Sequence, residues 1–298
     1  MNLGILFALL TMLGFGLNSA FSKRPTDYYG PSKAILLRNI TVVLILLPIV
    51  VVVFTKVEFN FLGILMGIGW GVIGYIPILY FMKGLEKGKL GVVVPISKTK
   101  VIWTIFFAMI ILKEFISLTQ GALIFLIMVG VILLTKKQGQ AIISSDTLKH
   151  GAFEALVAAF LWAIWFVVYK LVVSSIGIFP AAFTVELGVL IGAVSHVLFR
   201  MKFKKEKLVH QNKKIYGKGD RKSIIFELIA AGLFTAVGTT SFAFSISYIP
   251  VSLASAIVAA NPIIALSYGH IRLHERFSKQ EGIGILIIVI GIVAISLV

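Results

Sequence analysis

Charged side chains inside apolar stretches are the residues of this chain with the clearest chemical potential. Lys98, Lys100, Arg38 and Glu186 each lie within an apolar run long enough to form a helix across a bilayer. A charge at the centre of such a helix costs at least about 2.5–3.5 kcal/mol unless it faces water, protein or a partner. These four residues are therefore the first candidates for a functional site.

The two lysines differ in the helix face that they occupy. Residues two positions apart on an α-helix differ by about 200°, so both side chains cannot face one cavity. Lys100 shares its face with Ser97 and Trp103, which predicts a polar pocket with an aromatic wall and contact between Lys100 and substrate. Lys98 is expected to snorkel toward the basic side of the membrane. The alternative is that Lys100 also snorkels, or that it pairs structurally.

Glu186 is the deepest carboxyl group in the sequence, six residues after Pro180, while Arg38 lies seven residues after Pro31. We expect the two side chains at comparable depth but in opposite leaflets. A carboxyl group removed from water can take up and release a proton near neutral pH, which makes Glu186 a candidate for proton coupling. A structural ion pair is the alternative.

Further candidates are polar or aromatic residues within apolar helices. Asn261-Pro262, Pro95 and Pro77 are expected to break the hydrogen-bond ladder of their helices, because proline lacks the N–H group. The carbonyls freed there could serve a substrate site, and a simple kink that shapes packing is the alternative. Tryptophan and tyrosine need hydrogen-bond partners when they are buried. The predicted substrate-binding set is Asn18, Arg38, Trp70, Tyr75, Ser97, Lys100, Trp103, Trp162, Trp165, Asn261 and Tyr268.

Several classes of chemistry find no support in the sequence. The chain contains no cysteine, which excludes disulfides and thiolate chemistry. His270 and His274 are four residues apart but lack further ligands at metal-binding spacing, and no hydrolase or phosphate-binding motif is present. We expect no enzyme activity, metal or cofactor. The net charge of +16 is concentrated in residues 200–222, which suits a cytoplasmic loop better than a nucleic-acid surface.

The elements that carry these residues are membrane helices. The chain has 298 residues, 59% of them hydrophobic, and a mean hydropathy of +1.02, well above the values of soluble domains. Apolar runs of about 20 residues recur along its length, as expected of a polytopic all-α membrane protein.

An internal repeat divides the chain. Residues 80–134 align with residues 241–295 at a shift of 161 without a gap, and residues 4–23 align with residues 151–170 at a shift of 147. Five predicted helices per half, an odd number, turn the second copy upside down. The sequence thus predicts ten transmembrane helices as two inverted five-helix repeats, residues 1–137 and 151–298, joined by a linker at 138–150. A binding site is expected near the bilayer midplane.

Lysine and arginine fall mainly on one face of this arrangement, which includes Lys23, Arg24 and the basic loop at 200–222. Short loops rich in lysine and arginine stay in the cytoplasm. We therefore expect a multi-pass protein of the cell membrane with both termini outside.

The turns after helices four and nine resemble those of the EamA-type branch of the drug/metabolite transporter superfamily. Leu112-Lys113-Glu114 with Gln120-Gly121, and Leu273-His274-Glu275 with Glu281-Gly282, carry the resemblance. It implies a carrier whose helices one to four and six to nine surround a central cavity, with helices five and ten outside. It also implies alternating access.

The sequence as a whole favours a secondary active transporter of small polar metabolites, working as a monomer or weak homodimer with protons as a possible coupling ion. Arg38 and Lys100 favour anionic or zwitterionic solutes such as amino acids. A carrier of neutral or phosphorylated sugars is the alternative within this class. A passive channel, and a membrane-bound enzyme or scaffold, are the alternatives from other classes.

Overall fold

In the part of the chain that the computed structural model describes, all regular structure is helical. This part comprises residues 3–54, 60–87, 93, 96–136, 151–204, 220–264, 267–268 and 279–297. It contains ten α-helices: α1 (Leu3–Tyr29), α2 (Pro31–Phe54), α3 (Phe61–Lys87), α4 (Lys100–Phe107), α5 (Leu118–Lys136), α6 (Ala152–Ile176), α7 (Ile178–Lys204), α8 (Asp220–Tyr248), α9 (Val251–Ala259) and α10 (Lys279–Ile295). The linker at 138–150, most of the basic loop, Pro95, His270, His274 and Glu275 lie outside the described residues.

Six of the ten helices are long and apolar enough to cross a membrane: α1, α2, α3, α6, α7 and α8. Within the described residues, the other four are shorter. The six long helices expose large apolar side chains on their outer faces, such as Leu44 (63% exposed) and Leu62 (78%), as a lipid-facing surface requires. By contrast, every residue of α9 is buried, so this short helix lies inside the bundle.

Two glycines make equivalent one-residue turns. Gly30 joins α1 to α2 with φ of 79°, and Gly177 joins α6 to α7 with φ of 80°. Glycine adopts positive φ without the steric cost that a Cβ atom brings. The two turns are 147 positions apart, so the register relating helix one to helix six continues into α2 and α7.

The long helices of the two halves pack against each other closely. Gly14 on α1 lies against Gly238 on α8, and Gly74 on α3 lies against the indole of Trp165 on α6. Contacts farther along, such as Arg24 with Glu227, show that α1 and α8 are antiparallel. Small residues let helix backbones approach closely, which is how helices associate within a membrane.

At the centre, α2 and α3 of the first half meet α7 and α8 of the second. Gly71 faces the carbonyl of Val185 and Gly188, whereas Gly232 faces the carbonyl of Arg38 and Thr41. A shift of 161 relates Gly71 to Gly232, and a shift of 147 relates Arg38 and Thr41 to Val185 and Gly188. The central contacts are therefore repeated with the halves exchanged.

The outer pair shows the same exchange. Gly130 on α5 packs against Ile288 on α10, and Gly291 on α10 packs against Ile127 on α5. A shift of 161 relates Gly130 to Gly291 and Ile127 to Ile288. Since each residue meets the counterpart of its partner, α5 and α10 run antiparallel.

The prolines differ in effect. The predicted break at Asn261-Pro262 is confirmed: α9 ends at Ala259 and the chain continues through i to i+3 hydrogen bonds, among them Asn261 N–H to the carbonyl of Val258 at 3.1 Å. At Pro77, by contrast, α3 continues as one helix from Phe61 to Lys87, so the missing N–H group does not end the helix there. A membrane helix tolerates proline where neighbouring helices hold its shape.

Candidate functional site

Four buried polar residues form one hydrogen-bonded group, called here the buried network: Arg38, Asn39, Glu186 and Thr239. Arg38 donates from Nε and Nη2 to Asn39 Oδ1, at 3.1 and 2.7 Å. Asn39 Nδ2 donates to Glu186 Oε2 at 2.7 Å, and Thr239 Oγ1 donates to Glu186 Oε1 at 2.5 Å. At most 7% of any of these residues is exposed. Helices from both halves, α2, α7 and α8, are thereby joined.

The buried network corrects the expected positions of Arg38 and Glu186. The prediction that they lie in opposite leaflets is wrong, since Asn39 connects them at one level. Antiparallel α2 and α7 cross here, so similar distances from the two helix starts lead to the same place. Within the described residues the two charges make no direct ion pair. The amide of Asn39 lies between them and satisfies both.

Tyr169 lies beside the buried network on α6. Its side chain is fully buried, and its hydroxyl donates to the carbonyl of Thr239 at 3.2 Å. A buried tyrosine needs a partner for its O–H group, and here the partner is the main chain of the residue that holds Glu186. Tyr169 therefore ties α6 to the network.

The two intramembrane lysines lie at the junction of α4, α6 and α9. Lys98 is 8% exposed and donates from Nζ to Asn261 Oδ1 at 2.7 Å. The prediction that Lys98 snorkels is wrong, because an amide oxygen inside the protein supplies the hydrogen bond that water would supply outside. Asn261 is available for this contact because the break at Pro262 holds it beside α4.

Lys100 has an aromatic environment. Its ammonium group lies 5.1 Å from the ring centre of Trp162 and 4.4 Å from that of Phe166, and the residue is 7% exposed. A cation above an aromatic face is stabilised by about 0.5–2 kcal/mol, more when it is removed from water. Lys98, Lys100, Trp162, Phe166 and Asn261 are called here the lysine pocket.

The predicted aromatic wall is replaced. Trp103 is 38% exposed and packs edge-on against Phe160, with ring centres 5.3 Å apart. Three residues along a helix leave Trp103 about 60° away from Lys100, so it falls at the outer edge of the face that packs on α6. Phe166, which was not among the predicted site residues, provides the aromatic face beside Lys100 instead. Its position four residues after Trp162, on the same helix face, could have indicated this role.

Aromatic rings in contact, some stacked and some tilted, connect the lysine pocket with the buried network. Phe166 contacts Phe242 at 4.4 Å between ring centres, and Phe242 stacks on Tyr169 at 6.2 Å. Trp165 stacks on Tyr169 at 5.0 Å. These four residues are called here the aromatic column. Because protein interiors are close-packed, displacement of one ring displaces the ring beside it.

The other predicted tryptophan and amide residues line α1, α3 and α6. Trp70 Nε1 donates to the carbonyl of Trp165 at 3.4 Å. The indole nitrogen of Trp165 is buried and has no hydrogen-bond partner among the described residues. Asn18, the counterpart of Trp165, accepts a hydrogen bond from Ser22 Oγ at 3.0 Å.

Three predicted site residues have separate surroundings. Tyr75 is 4% exposed and bonds His196 Nδ1 at 2.6 Å, in a small cluster with Ile35 and Val189 that is apart from the lysine pocket. Tyr268 packs on Phe21, with ring centres 5.1 Å apart. Ser97 is buried, between Lys98 and the start of α4.

Glu114, which carries part of the repeat motif, closes one end of the bundle. Its carboxylate pairs with Lys170 at the end of α6 and accepts the backbone N–H of Val251, the first residue of α9, at 2.9 Å. A carboxylate at a helix N-terminus satisfies an otherwise unpaired N–H group and interacts favourably with the helix dipole. The motif glutamate of one half thus caps a helix of the other.

A small cavity lies on the opposite side of the buried network from Glu114. It has a volume of about 10 Å³, room for about one water molecule. Arg38 forms its inner end, with Ser22, Thr26, Met82 and Leu228 in the wall. Arg24 and Glu227, which form an ion pair of 2.7 Å, mark the same end of the bundle.

No group of three or more histidine, cysteine, aspartate or glutamate residues that could hold a metal ion occurs in the part of the chain that the structure describes. The pair His270 and His274 lies outside that part. The donors that the described helices bring together are instead lysine, arginine, amide and carboxyl groups suited to organic ions and protons.

Comparison with known proteins connects this arrangement to a family. The model of the EamA-like transporter family matches residues 2–136 and again residues 149–297. An uncharacterized transporter of Helicobacter pylori (strain J99) is 31% identical over 135 residues, which are 44% of this chain and 45% of that protein. A solved crystal structure with 15% identity has the same fold, with a TM-score of 0.74 over 97% of this chain and 96% of that one.

Proposed function

Because the chain belongs to the EamA-like transporter family, we propose that it is a secondary active transporter that moves small anionic or zwitterionic metabolites, such as amino acids, across the cell membrane. The lysine pocket holds the substrate, and the two halves expose it to each side of the membrane in turn. The match spans 45% of the length of the Helicobacter pylori relative, so substrate and mechanism are proposals that rest on this chain's geometry.

The proposed architecture is a pair of inverted five-helix repeats with ten membrane helices. It is supported by the antiparallel pairs α2 with α7 and α5 with α10, each formed by corresponding helices of the two halves. It is also supported by the central contacts that recur when the halves are exchanged, as at Gly71 and Gly232. In an inverted repeat, a rocking motion of one half converts an inward-open site into an outward-open one.

The observation that carries the substrate class is that the two lysines of the lysine pocket have no carboxylate beside them in the described residues. Lys98 and Lys100 are both buried, and neither contacts a carboxylate in the described residues. Buried cations are stable when an anion is beside them, so a substrate carboxylate entering here supplies the missing partner. The faces of Trp162 and Phe166 then offer an apolar surface to the remainder of the solute.

Binding and transport assays test the substrate class. Purified protein is heated with L-amino acids, mono- and dicarboxylates, glucose 6-phosphate and glucose, because a ligand that prefers the native state raises Tm. Compounds that raise Tm are then assayed for saturable counterflow in proteoliposomes. We expect an amino acid or carboxylate to score in both assays. Glucose or its phosphate scoring instead would support the sugar alternative, and unsaturable flux without counterflow would support a channel.

A matched pair of lysine variants links the result to the site. Lys100→Met removes one of the two positive charges of the lysine pocket, the one beside Trp162 and Phe166. Lys202→Met removes an exposed lysine near the end of α7. We expect at least about a tenfold weaker apparent affinity in the first variant, the size of effect that loss of a charged hydrogen bond produces. Equal affinity in the two variants would show that the substrate binds elsewhere.

We also propose an orientation in the membrane. Arg24 and Arg200 mark one end of the bundle, whereas the Glu114–Lys170 pair marks the other. Placing the arginine-rich end in the cytoplasm follows from the retention of basic segments on that side and leaves both termini outside. A C-terminal tag that is cleaved by external protease on intact cells supports this orientation, and a protected tag contradicts it.

A further inference from the structure

Asn39 and Glu186 are corresponding residues of the two halves. They are 147 positions apart, the same shift that relates Gly30 to Gly177 and the start of α2 to the start of α7. Their side chains bond directly to each other at 2.7 Å. Corresponding residues whose side chains touch must lie on either side of the line about which the halves are exchanged, and next to it. In an inverted repeat that line runs through the middle of the membrane.

The surroundings of Glu186 contain one cation and no second carboxylate in the described residues. From α2 come Arg38 and Asn39, from α8 the hydroxyl of Thr239, and from α6 the hydroxyl side of Tyr169. From α3 comes only the close approach of Gly71 to the turn of α7 that holds Val185 and Gly188. The carboxylate thus has hydrogen-bond donors on both oxygens.

Protonation changes these hydrogen bonds in a defined way. As an anion, Glu186 accepts from Asn39 Nδ2 and Thr239 Oγ1. As an acid it carries its own O–H donor, which needs an acceptor. If the Asn39 amide turned to offer its oxygen, its NH₂ group would face the guanidinium of Arg38, donor against donor. Thr239 Oγ1 can accept that O–H group, because a hydroxyl is both donor and acceptor, while Glu186 Oε2 keeps its bond from Asn39. Taking up one proton from water therefore reverses the bond between Glu186 on α7 and Thr239 on α8.

We propose that Glu186 is the site of proton coupling, loaded from either side of the membrane because it lies where the two halves correspond, and that it communicates with the lysine pocket through the aromatic column. This inference rests on the proposed transport function. Tyr169 contacts the network at one end of the column, and Phe166 holds Lys100 at the other. Reversal of the Glu186–Thr239 bond acts on Thr239, whose carbonyl accepts from Tyr169, and so reaches the pocket through the column.

The proton site is tested without substrate by infrared difference spectroscopy. Protein in lipid is compared between about pH 5 and about pH 8, a range in which buried carboxyl groups change protonation. We expect a band from a protonated carboxyl group that is absent in Glu186→Gln and retained in Glu227→Gln, the same change in the ion pair with Arg24. Persistence of the band in Glu186→Gln would overturn the proposal.

An exchange variant tests the symmetry argument and guards against simple misfolding of Glu186→Gln. The double change Asn39→Glu with Glu186→Asn moves the carboxyl group to the corresponding position on α2 and keeps an amide opposite it. We expect this variant to regain the pH-dependent band. Its absence in a variant that still elutes as a folded monodisperse species would show that the position is not shared by the two halves.

Transport separates this proposal from the proposed function. Uptake of the amino acid or carboxylate identified by counterflow is driven by a pH gradient in proteoliposomes that contain a pH-sensitive dye. We expect Glu186→Gln to retain counterflow at equal pH and to lose the response to the gradient. Loss of response only in Glu227→Gln, or an intact response in Glu186→Gln, would refute coupling while leaving a transporter. Absence of counterflow in the wild type would refute both.

Discussion

The carboxylate of Glu114 caps Val251, a residue of the opposite half that lies 137 positions later in the chain, and the two atoms concerned are 2.9 Å apart. The same carboxylate pairs with Lys170. One side chain thereby joins the segment that follows α4, the last third of α6 and the start of α9, a helix in which every residue is buried.

Removal of this cap is expected to destabilise the protein. Glu114→Ala leaves the N–H of Val251 without its acceptor and Lys170 without its partner. The expected loss is about 1–2 kcal/mol, the usual cost of losing a helix cap. Lys113→Ala, at the neighbouring position, serves as the control. Thermal unfolding in detergent should show a lower Tm for Glu114→Ala alone, and equal values in the two variants would contradict the capping role.

Two glycines on α3 offer a matched test of helix packing. A Cβ atom at Gly71 would collide with the carbonyl oxygen of Val185 and the backbone of Gly188, whereas one at Gly69 would meet nothing within 4 Å. We expect Gly71→Ala to destabilise by about 1–3 kcal/mol, the range for overpacking, and Gly69→Ala to be neutral or slightly stabilising. Thermal unfolding of the two variants decides the matter, since equal Tm values would mean that α3 and α7 are not in close contact.

The turns at Gly30 and Gly177 make a prediction about the backbone alone. Both have positive φ, and neither has a neighbour within 4 Å of an added Cβ atom. Alanine at either place therefore suffers conformational strain without collision, about 1–3 kcal/mol. The Tm values of Gly30→Ala and Gly177→Ala should fall by similar amounts, with Gly282→Ala, also in open space but at normal φ, as the control. A fall at one turn only would contradict their equivalence.

The contact between Lys98 and Asn261 is suited to a double-mutant cycle. Lys98→Met leaves the amide oxygen of Asn261 unpaired, and Asn261→Leu leaves a buried ammonium group unpaired. Each single variant should lose about 1–3 kcal/mol, whereas the double variant should lose less than the sum, because both unsatisfied groups are gone. Additive losses measured by thermal unfolding would show that the two side chains do not interact.

Much of this fold was accessible from the sequence because the repeat carries its own register. The shifts of 147 and 161 relate the helices of the two halves. They also made Gly130 and Gly291 equivalent positions, and in the structure each packs against an isoleucine of the other half. Helix periodicity identified Lys100 as a site candidate, and the need of a buried indole for a hydrogen-bond partner identified Trp162; the structure brings the two together.

Other features depended on tertiary contacts that periodicity does not contain. Whether Lys98 snorkels is decided by the amide of Asn261, which is distant in sequence. Whether Trp103 faces the pocket is decided by the angle at which α4 packs on α6. The bond between Asn39 and Glu186 could have been found by extending the shift of 147 into the second helix, but only the packing shows that corresponding residues touch.

The junction of Asn39 with Glu186 bears on stoichiometry. Were the two halves separate identical subunits, this spot would hold either a pair of amides or a pair of acids, and an acid pair would bring two like charges together. Joining the copies in one polypeptide frees them to diverge, so that an amide faces an acid and the buried network holds a single carboxyl group. Under the proposed coupling, a single carboxyl group would carry one hydrogen ion per transport cycle.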